Sequence, residues 1–257
     1  MEINSQHLFD LVTNAFLIFA RVAAFITITP ILGAQTIPAP VRLGIPIFVT
    51  AVVFPFVTIP GHFSIFTFSG LIILLQQVLI GMLMGFTIRI LFSALETGGY
   101  AIGQTMGLGF AQMVDPANGV TVPVTSQFYT LLATLIFLSM NGHLVALSVV
   151  VDSFSTMPVD MLSLKDINIW SIINLAKWIF TGAVMIALPV VGALLIVNIA
   201  FGVMMRAAPQ LNIFSIGFPV SLMLGFVFIL IALPLFYPQF SQMFEVSING
   251  MRSFMVR

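Results

Sequence analysis

The chain has 257 residues, of which 60% are hydrophobic and 6% charged, and its eight basic residues balance its eight acidic residues. Because soluble domains carry about a quarter charged residues, this composition excludes an ordinary soluble domain. The zero net charge gives no indication of nucleic-acid binding, and the absence of cysteine excludes disulfides and thiolate metal sites. We predict an all-α, polytopic membrane-type protein, and the sequence indicates no cofactor and no metal.

The first apolar block, from about Leu8 to Ile28, is long enough as a helix to cross a hydrocarbon layer of roughly 30 Å. Arg21 lies inside this block, where a guanidinium is costly unless it pairs with other groups or reaches the interface. Since Arg21 is close to the end of the block, a snorkelling side chain is one interpretation. We favour a packed and paired arginine that faces protein or water and contributes to assembly.

The next stretch is interrupted by prolines at positions 30, 38, 40, 46, 55 and 60. Each proline removes a backbone donor and disfavours helix in the residue before it. Broken backbone at membrane depth is tolerated only where protein or a water-filled cavity covers it. This stretch therefore predicts kinked and broken helices in an assembly with extensive burial between helices.

The clearest membrane-type span of the first half runs from Leu71 to Phe92. Gly81 and Gly85 are four residues apart, so on a helix they form a small-residue face of the kind that brings helices close together in lipid. We predict that these two glycines pack this helix against a neighbour.

The stretch from Gly98 to Gly119 is too polar and too rich in glycine to be an ordinary membrane span. Gly99, Gly103 and Gly107 recur every four residues, which as part of a helix predicts a bare stripe that another backbone can approach. The stretch ends in Asp-Pro-Ala-Asn-Gly, which is strong turn chemistry. An apolar segment of this kind is suited to a seal or gate, although an ordinary re-entrant turn has the same composition.

Two further features divide the chain. The apolar run from Phe128 to Met140 is broken at Asn141-Gly142-His143 and resumes from Leu144 to Val151, as one bent span or as two half-spans. Charged residues cluster between Asp152 and Asp166, which indicates a solvated connection. We place the boundary between two parts there, giving residues 1–165 and 166–257.

The second part contains two long apolar blocks, Trp178 to Phe201 and Val220 to Phe236. They predict a helical hairpin whose link, from Met204 to Pro219, is rich in hydrogen-bonding groups. The tail from Tyr237 onward mixes polar and apolar residues, and we expect it to lie along an interface or to pack on a partner.

The chain carries none of the signatures of the common enzyme classes. It has no His-Glu-x-x-His, no phosphate-binding glycine-lysine loop and no Gly-x-Ser-x-Gly elbow. Acidic pairs at helical spacing within the apolar blocks, typical of proton or cation relays, are also missing. The residues alone therefore indicate a polytopic, tightly packed membrane-type protein with an interrupted, flexible centre and no sign of an enzyme.

Several motifs together resemble the FliR family of the flagellar type III export gate, over nearly the whole chain. The motifs that carry the resemblance are Ala20-Arg21-Val22, Pro30-Ile31-Leu32-Gly33, Ile37-Pro38, Arg42, Gly103-Gln104-Thr105-Met106-Gly107-Leu108, Asp115-Pro116, Gly142-His143, Ser153-Phe154, Pro158, Arg206 to Phe214 and Gly217-Phe218-Pro219. The motif from Arg206 to Phe214 is the most specific of them.

The resemblance implies a noncatalytic subunit of a protein-conducting channel in the bacterial inner membrane, within the flagellar basal body. It implies a FliP-like part over residues 1–165 and a FliQ-like hairpin over residues 166–257. The partners implied are FliP and FliQ homologues in one helical assembly, FlhB and FlhA homologues, unfolded flagellar export substrates and membrane lipid. Gates of this family lie mostly above the membrane plane, so hydropathy overcounts the helices in contact with lipid.

The resemblance also suggests roles for individual residues. A plug loop inside the pore corresponds to Met106, Gly107, Leu108, Phe110, Met113, Asp115, Pro116 and Gly119. Methionine is unbranched and adaptable, so it suits a seal that must close around diverse chains. The residues predicted to serve assembly are Arg21, Arg206, Pro209, Gln210 and Asn212.

Two alternative functions compete with a flagellar gate subunit. The virulence injectisome counterpart shares the core of the link motif but continues toward a lysine, whereas Gly217-Phe218-Pro219-Val220-Ser221 follows here, which favours the flagellar branch. A small secondary transporter with broken helices would instead require ionisable groups at a substrate site and activity from this chain alone.

Overall fold

The computed structural model describes residues 5–34, 36–57, 67–109, 123–159, 169–207 and 213–255. Within these ranges the chain is helical, and no strand is found among them. The helices are α1 (Ser5–Ile28), α2 (Ala39–Val53), a 3-10 turn (Phe54–Phe56), α3 (Phe68–Thr105), α4 (Val124–Ser139), α5 (Gly142–Thr156), α6 (Ile169–Ala176), α7 (Trp178–Ala207) and α8 (Ile213–Ser253). The predicted all-α class is confirmed.

Five helical segments among the described residues are long and apolar enough to cross a membrane. They are Phe9–Ile28, Ala39–Phe56, Phe68–Thr105, Trp170–Ala207 and Gly217–Ser253. The bent pair formed by α4 and α5 adds a sixth if it counts as one broken span. This result confirms a polytopic membrane-type protein with bent helices.

Prolines stand before α2 and inside it, and the helix is continuous from Ala39 to Val53. The helix begins directly after Pro38, and a proline in the first turn costs nothing because that backbone N–H has no helical partner. Pro46 lies inside the helix, and the Thr50 hydroxyl donates to its carbonyl oxygen at 2.6 Å. The helix ends at Val53, so it is only 15 residues long.

The break between α4 and α5 lies where the sequence places it. Asn141 has a φ of 56°, in the left-handed region that asparagine tolerates better than most residues. Its carbonyl oxygen accepts hydrogen bonds from the N–H groups of Leu144 and Val145, which starts α5.

Two helices run further than the sequence predicts. α3 continues past Phe92 to Thr105, and α8 continues past Phe236 to Ser253. The predicted tail from Tyr237 is thus helical as far as Ser253, even though α8 contains Pro234 and Pro238, and its packing on a partner stays a prediction. Phe236, Phe240 and Phe244 recur every four residues and are all buried, so one apolar stripe stabilises the helix through its prolines.

The chain forms two compact units, each assembled from separate segments. Unit 1 comprises Met1–Ile90, Asn141–Ala176 and Val246–Arg257, and unit 2 comprises Leu91–Met140 and Lys177–Glu245. The predicted boundary near residue 165 falls among residues 160–168, outside the described ranges, so the division into two sequence halves stays a prediction.

Aromatic side chains form the centre of unit 2. Phe137 contacts Phe92 and Phe244 edge to face, with ring centroids 5.9 and 5.6 Å apart. Tyr129 contacts Phe236 at 5.4 Å. These contacts join α3, α4 and α8 within unit 2.

Candidate functional site

The C-terminal end of α3 has a defined cap. The N–H of Leu108 donates to the carbonyl oxygen of Gly103 at 3.0 Å, and the N–H of Gly107 donates to that of Gln104 at 3.1 Å. These two bonds form a Schellman motif, in which the residue after the helix adopts a left-handed conformation that favours glycine. Gly107 has a φ of 89°, so the sequence Gly-Gln-Thr-Met-Gly-Leu fixes where α3 stops. The prediction that Gly107 continues the helical glycine stripe is therefore wrong, because this glycine lies after the end of the helix.

Met106 lies immediately before this left-handed glycine and is fully buried within unit 2. A Cβ atom built at Gly225 of α8 would lie 2.5 Å from Met106 Cγ, so only a glycine leaves room for this side chain. Met106, the first residue of the predicted plug, therefore packs against other residues of its own chain. Within the predicted plug, the described residues beyond it include Gly107 and Leu108, both partly exposed.

The glycine stripe on α3 lies against the start of α4. A Cβ atom at Gly99 would lie 2.6 Å from Ser126 Cα, and one at Gly103 would lie 2.5 Å from Thr125 Oγ1. Two hydroxyls cross the same contact: Thr125 Oγ1 donates to the Gly99 carbonyl at 2.8 Å, and Ser126 Oγ donates to the Glu96 carbonyl at 2.9 Å. The missing side chains thus let two helices approach closely enough for side chains to bond to backbone.

The rest of the predicted plug lies outside the described residues, in the range 110–122. It comprises Phe110, Met113, Asp115, Pro116 and Gly119. Sequence reasoning missed the residues that hold the two ends of this range, namely Thr125, Ser126 and Gly225. A threonine and a serine in the first turn after Pro123 resemble an ordinary helix start, so no local signal separates them from capping residues.

A cavity of about 300 Å³ lies beside Met106 within unit 2. Its walls are formed by Gln104, Thr105, Met106, Gly107, Asn198, Phe201, Met205, Gly217, Phe218 and Ser221. The Ser221 hydroxyl lies 3.5 Å from Asn198 Oδ1, and the lining contains no ionisable side chain. The described residues also contain no group of three or more His, Asp or Glu side chains placed to hold a metal ion.

Arg21 is fully buried in unit 1 and makes five hydrogen bonds. Its Nε and NH2 groups both donate to Gln77 Oε1, NH1 donates to the carbonyl and hydroxyl oxygens of Ser153, and NH2 also donates to the Met157 carbonyl at 2.8 Å. A guanidinium has five N–H donors, so every one of them is used. The paired arginine that we favour is present, and a snorkelling side chain is excluded.

The positive charge of Arg21 is met by dipoles. The carbonyl groups of Ser153 and Met157 stand at the C-terminal end of α5, which carries a partial negative charge. The ring of Phe154 lies 4.1 Å from the guanidinium carbon and adds a cation–π contact. Arg21 of α1 thereby joins α3 and α5 within unit 1, so any effect on assembly with other chains passes through this fold.

Gly81 and Gly85 lie against α1 in the same unit. A Cβ atom at Gly81 would collide with the Arg21 carbonyl oxygen, and one at Gly85 would lie 2.8 Å from the Phe25 carbonyl oxygen. These glycines bring the backbone of α3 onto α1 and place Gln77, one turn earlier, beside the guanidinium.

The remaining predicted assembly residues belong to the link between α7 and α8. Arg206 is exposed in the last turn of α7, where a cation complements the helix dipole. Pro209, Gln210 and Asn212 lie among residues 208–212, outside the described ranges.

Comparison with known proteins gives consistent matches over nearly the whole chain. Residues 12–247 match the family described as bacterial export proteins, family 1. The chain is 36% identical to the flagellar biosynthetic protein FliR of Escherichia coli K12 over 97% of this chain and 95% of that protein. It is 34% identical to FliR of Pectobacterium carotovorum over 96% and 95%, and 27% identical to FliR of Bacillus subtilis 168 over 95% of each.

Proposed function

The chain belongs to the bacterial export proteins, family 1, which gives it a role in flagellar protein export, and we propose that it is a noncatalytic, pore-forming subunit of the flagellar type III export gate. In this role it passes unfolded flagellar substrates across the bacterial inner membrane within the basal body. The relatives described above are all flagellar proteins, which supports the flagellar gate over the injectisome counterpart.

The observation that supports a gate subunit is the exposure of the helical hairpin, because this chain buries only a small share of the hairpin's apolar side chains. Only 22% of the most apolar 18-residue window is buried in Trp170–Ala207 and in Gly217–Ser253, against 50% in Phe68–Thr105. The exposed apolar side chains include Phe180, Val184, Leu188, Ile196, Ile199, Met223, Leu230 and Ile231. Apolar surface of this extent must be covered by lipid or by neighbouring subunits.

We infer that FliP and FliQ homologues cover much of this surface in one helical assembly, with FlhB and FlhA homologues attached to it. The test is affinity purification of the tagged chain from membranes of cells that also produce FliP and FliQ homologues. We expect all three chains in one complex. Recovery of this chain alone, under conditions that retain known membrane complexes, would count against the assembly.

A secondary transporter fits the site less well, because the cavity beside Met106 has no ionisable group in its lining. The two functions differ in what one purified chain does. A transporter moves a solute when it is reconstituted alone into liposomes, whereas a gate subunit does not. Solute uptake by the single chain would contradict a gate function.

We further propose that the segment following Gly107 seals the pore. What supports this is the methionine, phenylalanine and glycine composition of the segment and the defined helix cap from which it departs. Deleting Gly107 to Asn118 should leave the complex assembled and make the membrane permeable to ions. A tight membrane in cells that hold normal amounts of the complex would contradict the seal.

A further inference from the structure

The cavity beside Met106 lies where the end of α3 meets the hairpin of α7 and α8, all within unit 2. Its lining includes the amide side chains of Gln104 and Asn198 and the hydroxyl of Ser221, among apolar residues. Asn198 is exposed, and no described residue accepts a hydrogen bond from its Nδ2 group. The cavity thus offers neutral hydrogen-bonding groups to a ligand.

Along α7, the cavity lies at one end of a stretch that is as long as a bilayer is thick. Lys177 directly precedes α7, Arg206 lies in its last turn, and every residue between them is uncharged. At 1.5 Å per residue the two cations are about 43 Å apart along the helix, and a bilayer with its headgroup regions measures about 40–45 Å. Of the lining residues, Met205 directly precedes Arg206 and Asn198 is about 12 Å from it along the same axis. The cavity is therefore at the depth of lipid phosphate and glycerol groups.

Arg206 supplies a positive charge at this end of α7. Its side chain is exposed, and no described residue forms an ion pair with it. A guanidinium presents a planar set of N–H donors that fits a phosphate group with two hydrogen bonds at once. The lining contains no carboxylate to hold the ammonium group of phosphatidylethanolamine, whereas amides and a hydroxyl suit the hydroxyl groups of a glycerol headgroup.

We propose that this cavity binds the headgroup of phosphatidylglycerol, with Arg206 on the phosphate and the amide and hydroxyl groups of the lining on the glycerol. A volume of about 300 Å³ is at the lower end for ligand pockets, so it takes the headgroup and leaves the acyl chains outside. The acyl chains then run along the exposed apolar surface of α7, which includes Leu195 and Ile199. This inference goes beyond the proposed function, because it requires only that the hairpin lies in a membrane.

The test is lipid binding to the full chain, purified in detergent and titrated with phosphatidylglycerol or with phosphatidylethanolamine of the same acyl chains. Native mass spectrometry counts the bound lipid. Arg206→Gln removes the charge, and Lys177→Gln is its matched control, because Lys177 is an exposed cation at the opposite end of α7. Asn198→Leu removes the amide at similar size. Its control is Thr181→Val, since the Thr181 hydroxyl donates to the Lys177 carbonyl, far from the cavity.

We expect phosphatidylglycerol to bind about tenfold more tightly than phosphatidylethanolamine. Arg206→Gln should weaken phosphatidylglycerol binding about tenfold, because a charge-assisted hydrogen bond is lost, and Asn198→Leu should weaken it about fivefold through a neutral one. Lys177→Gln and Thr181→Val should bind this lipid as the parent chain does. All four side chains are exposed, so we expect each variant to fold normally.

Equal affinity for the two lipids, or an equal loss in Arg206→Gln and Lys177→Gln, would overturn the site, because lipid would then coat the hairpin without a specific place. Occupation in cell membranes is measured with benzoylphenylalanine in place of Phe218, a residue of the lining. Light-induced attachment of a phospholipid supports the site. Attachment of a neighbouring protein chain in its place would show that another subunit fills the cavity, and the lipid site would be refuted.

Discussion

α3 carries two pairs of glycines with the same spacing, and each pair lies against a different helix. Gly81 and Gly85 lie against α1 in unit 1, whereas Gly99 and Gly103 lie against α4 in unit 2. At the first pair the close approach serves a buried charge, because it sets Gln77 beside Arg21. At the second pair it lets two hydroxyls bond to helix carbonyls. Equal spacing thus predicts close packing of the helix in both places. What each close contact does is determined by the residues around it.

The largest effect is expected where the buried charge is removed. Arg21→Leu deletes all five donors and removes those that Gln77 Oε1 and the Met157 carbonyl receive, whereas the Ser153 carbonyl keeps the N–H of Met157. Buried acceptors that lose their partners each cost about 1 to 3 kcal/mol, so we expect a loss of about 3 kcal/mol or more. Thermal unfolding of the purified chain in detergent measures this loss.

Two variants test whether the loss of stability comes from the buried hydrogen bonds of Arg21. Arg89→Leu removes an exposed arginine from α3 and should change the free energy of unfolding little. Arg21→Lys keeps the charge but offers three donors in place of five, so it should restore only part of the stability. Full stability of Arg21→Leu would show that the network is dispensable.

A smaller loss is expected from Gly81→Ala. The added methyl group would meet the backbone carbonyl of Arg21, which cannot move without shifting α1. Overpacking of this kind costs about 1 to 3 kcal/mol, and its measurement is again thermal unfolding. Gly44→Ala in α2 is the control, because a Cβ atom there meets nothing within 4 Å and the substitution should stabilise the helix. Equal effects of the two substitutions would contradict a close contact at Gly81.

Features set by residues that are close in sequence can be predicted from the sequence, whereas features set by contacts between distant parts of the chain cannot. The helices, the break at Asn141 and the packing of Gly99 and Gly103 follow from local spacing, and the structure contains all three, whereas Gly107 ends the helix. The partners of Arg21 do not follow, because Ser153 is 132 residues away along the chain. The length of α8 was also missed, since prolines in a sequence indicate breaks that buried phenylalanines then override.

Met106 shows the same limit at the candidate site. The residue type and position of Met106 predict a deformable residue of the plug. In the structure its side chain packs against Gly225, on a helix that begins more than a hundred residues later. A methionine suits a moving seal and a packed core equally well, so only the tertiary contact separates the two roles. The part of the plug beyond residue 109 stays a prediction.

The contact between Met106 and Gly225 predicts an effect that depends on both residues. Gly225→Ala should destabilise the chain by about 1 kcal/mol or more, because its methyl group would meet Met106 Cγ. In a Met106→Ala background the same substitution should cost much less, because the colliding side chain is gone. A double-mutant cycle on unfolding free energies measures this coupling, and additive effects would contradict the contact.

The smallest expected effect concerns two exposed glycines of α7, and it distinguishes surface that faces lipid from surface that packs against another subunit. Gly192 and Gly202 lie within α7, and a Cβ atom at either meets nothing within 4 Å in this chain. Alanine at each should therefore stabilise the isolated chain by about 0.5 to 1 kcal/mol, through the helix preference alone.

In the assembled gate the outcome depends on what faces each glycine, since a neighbouring helix packed on a bare position has no room for a methyl group. A variant that unfolds at a higher temperature alone yet copurifies with less FliP and FliQ homologue marks a position where another subunit lies against α7. Unchanged copurification for both variants would place lipid, and not a closely packed helix, over this face.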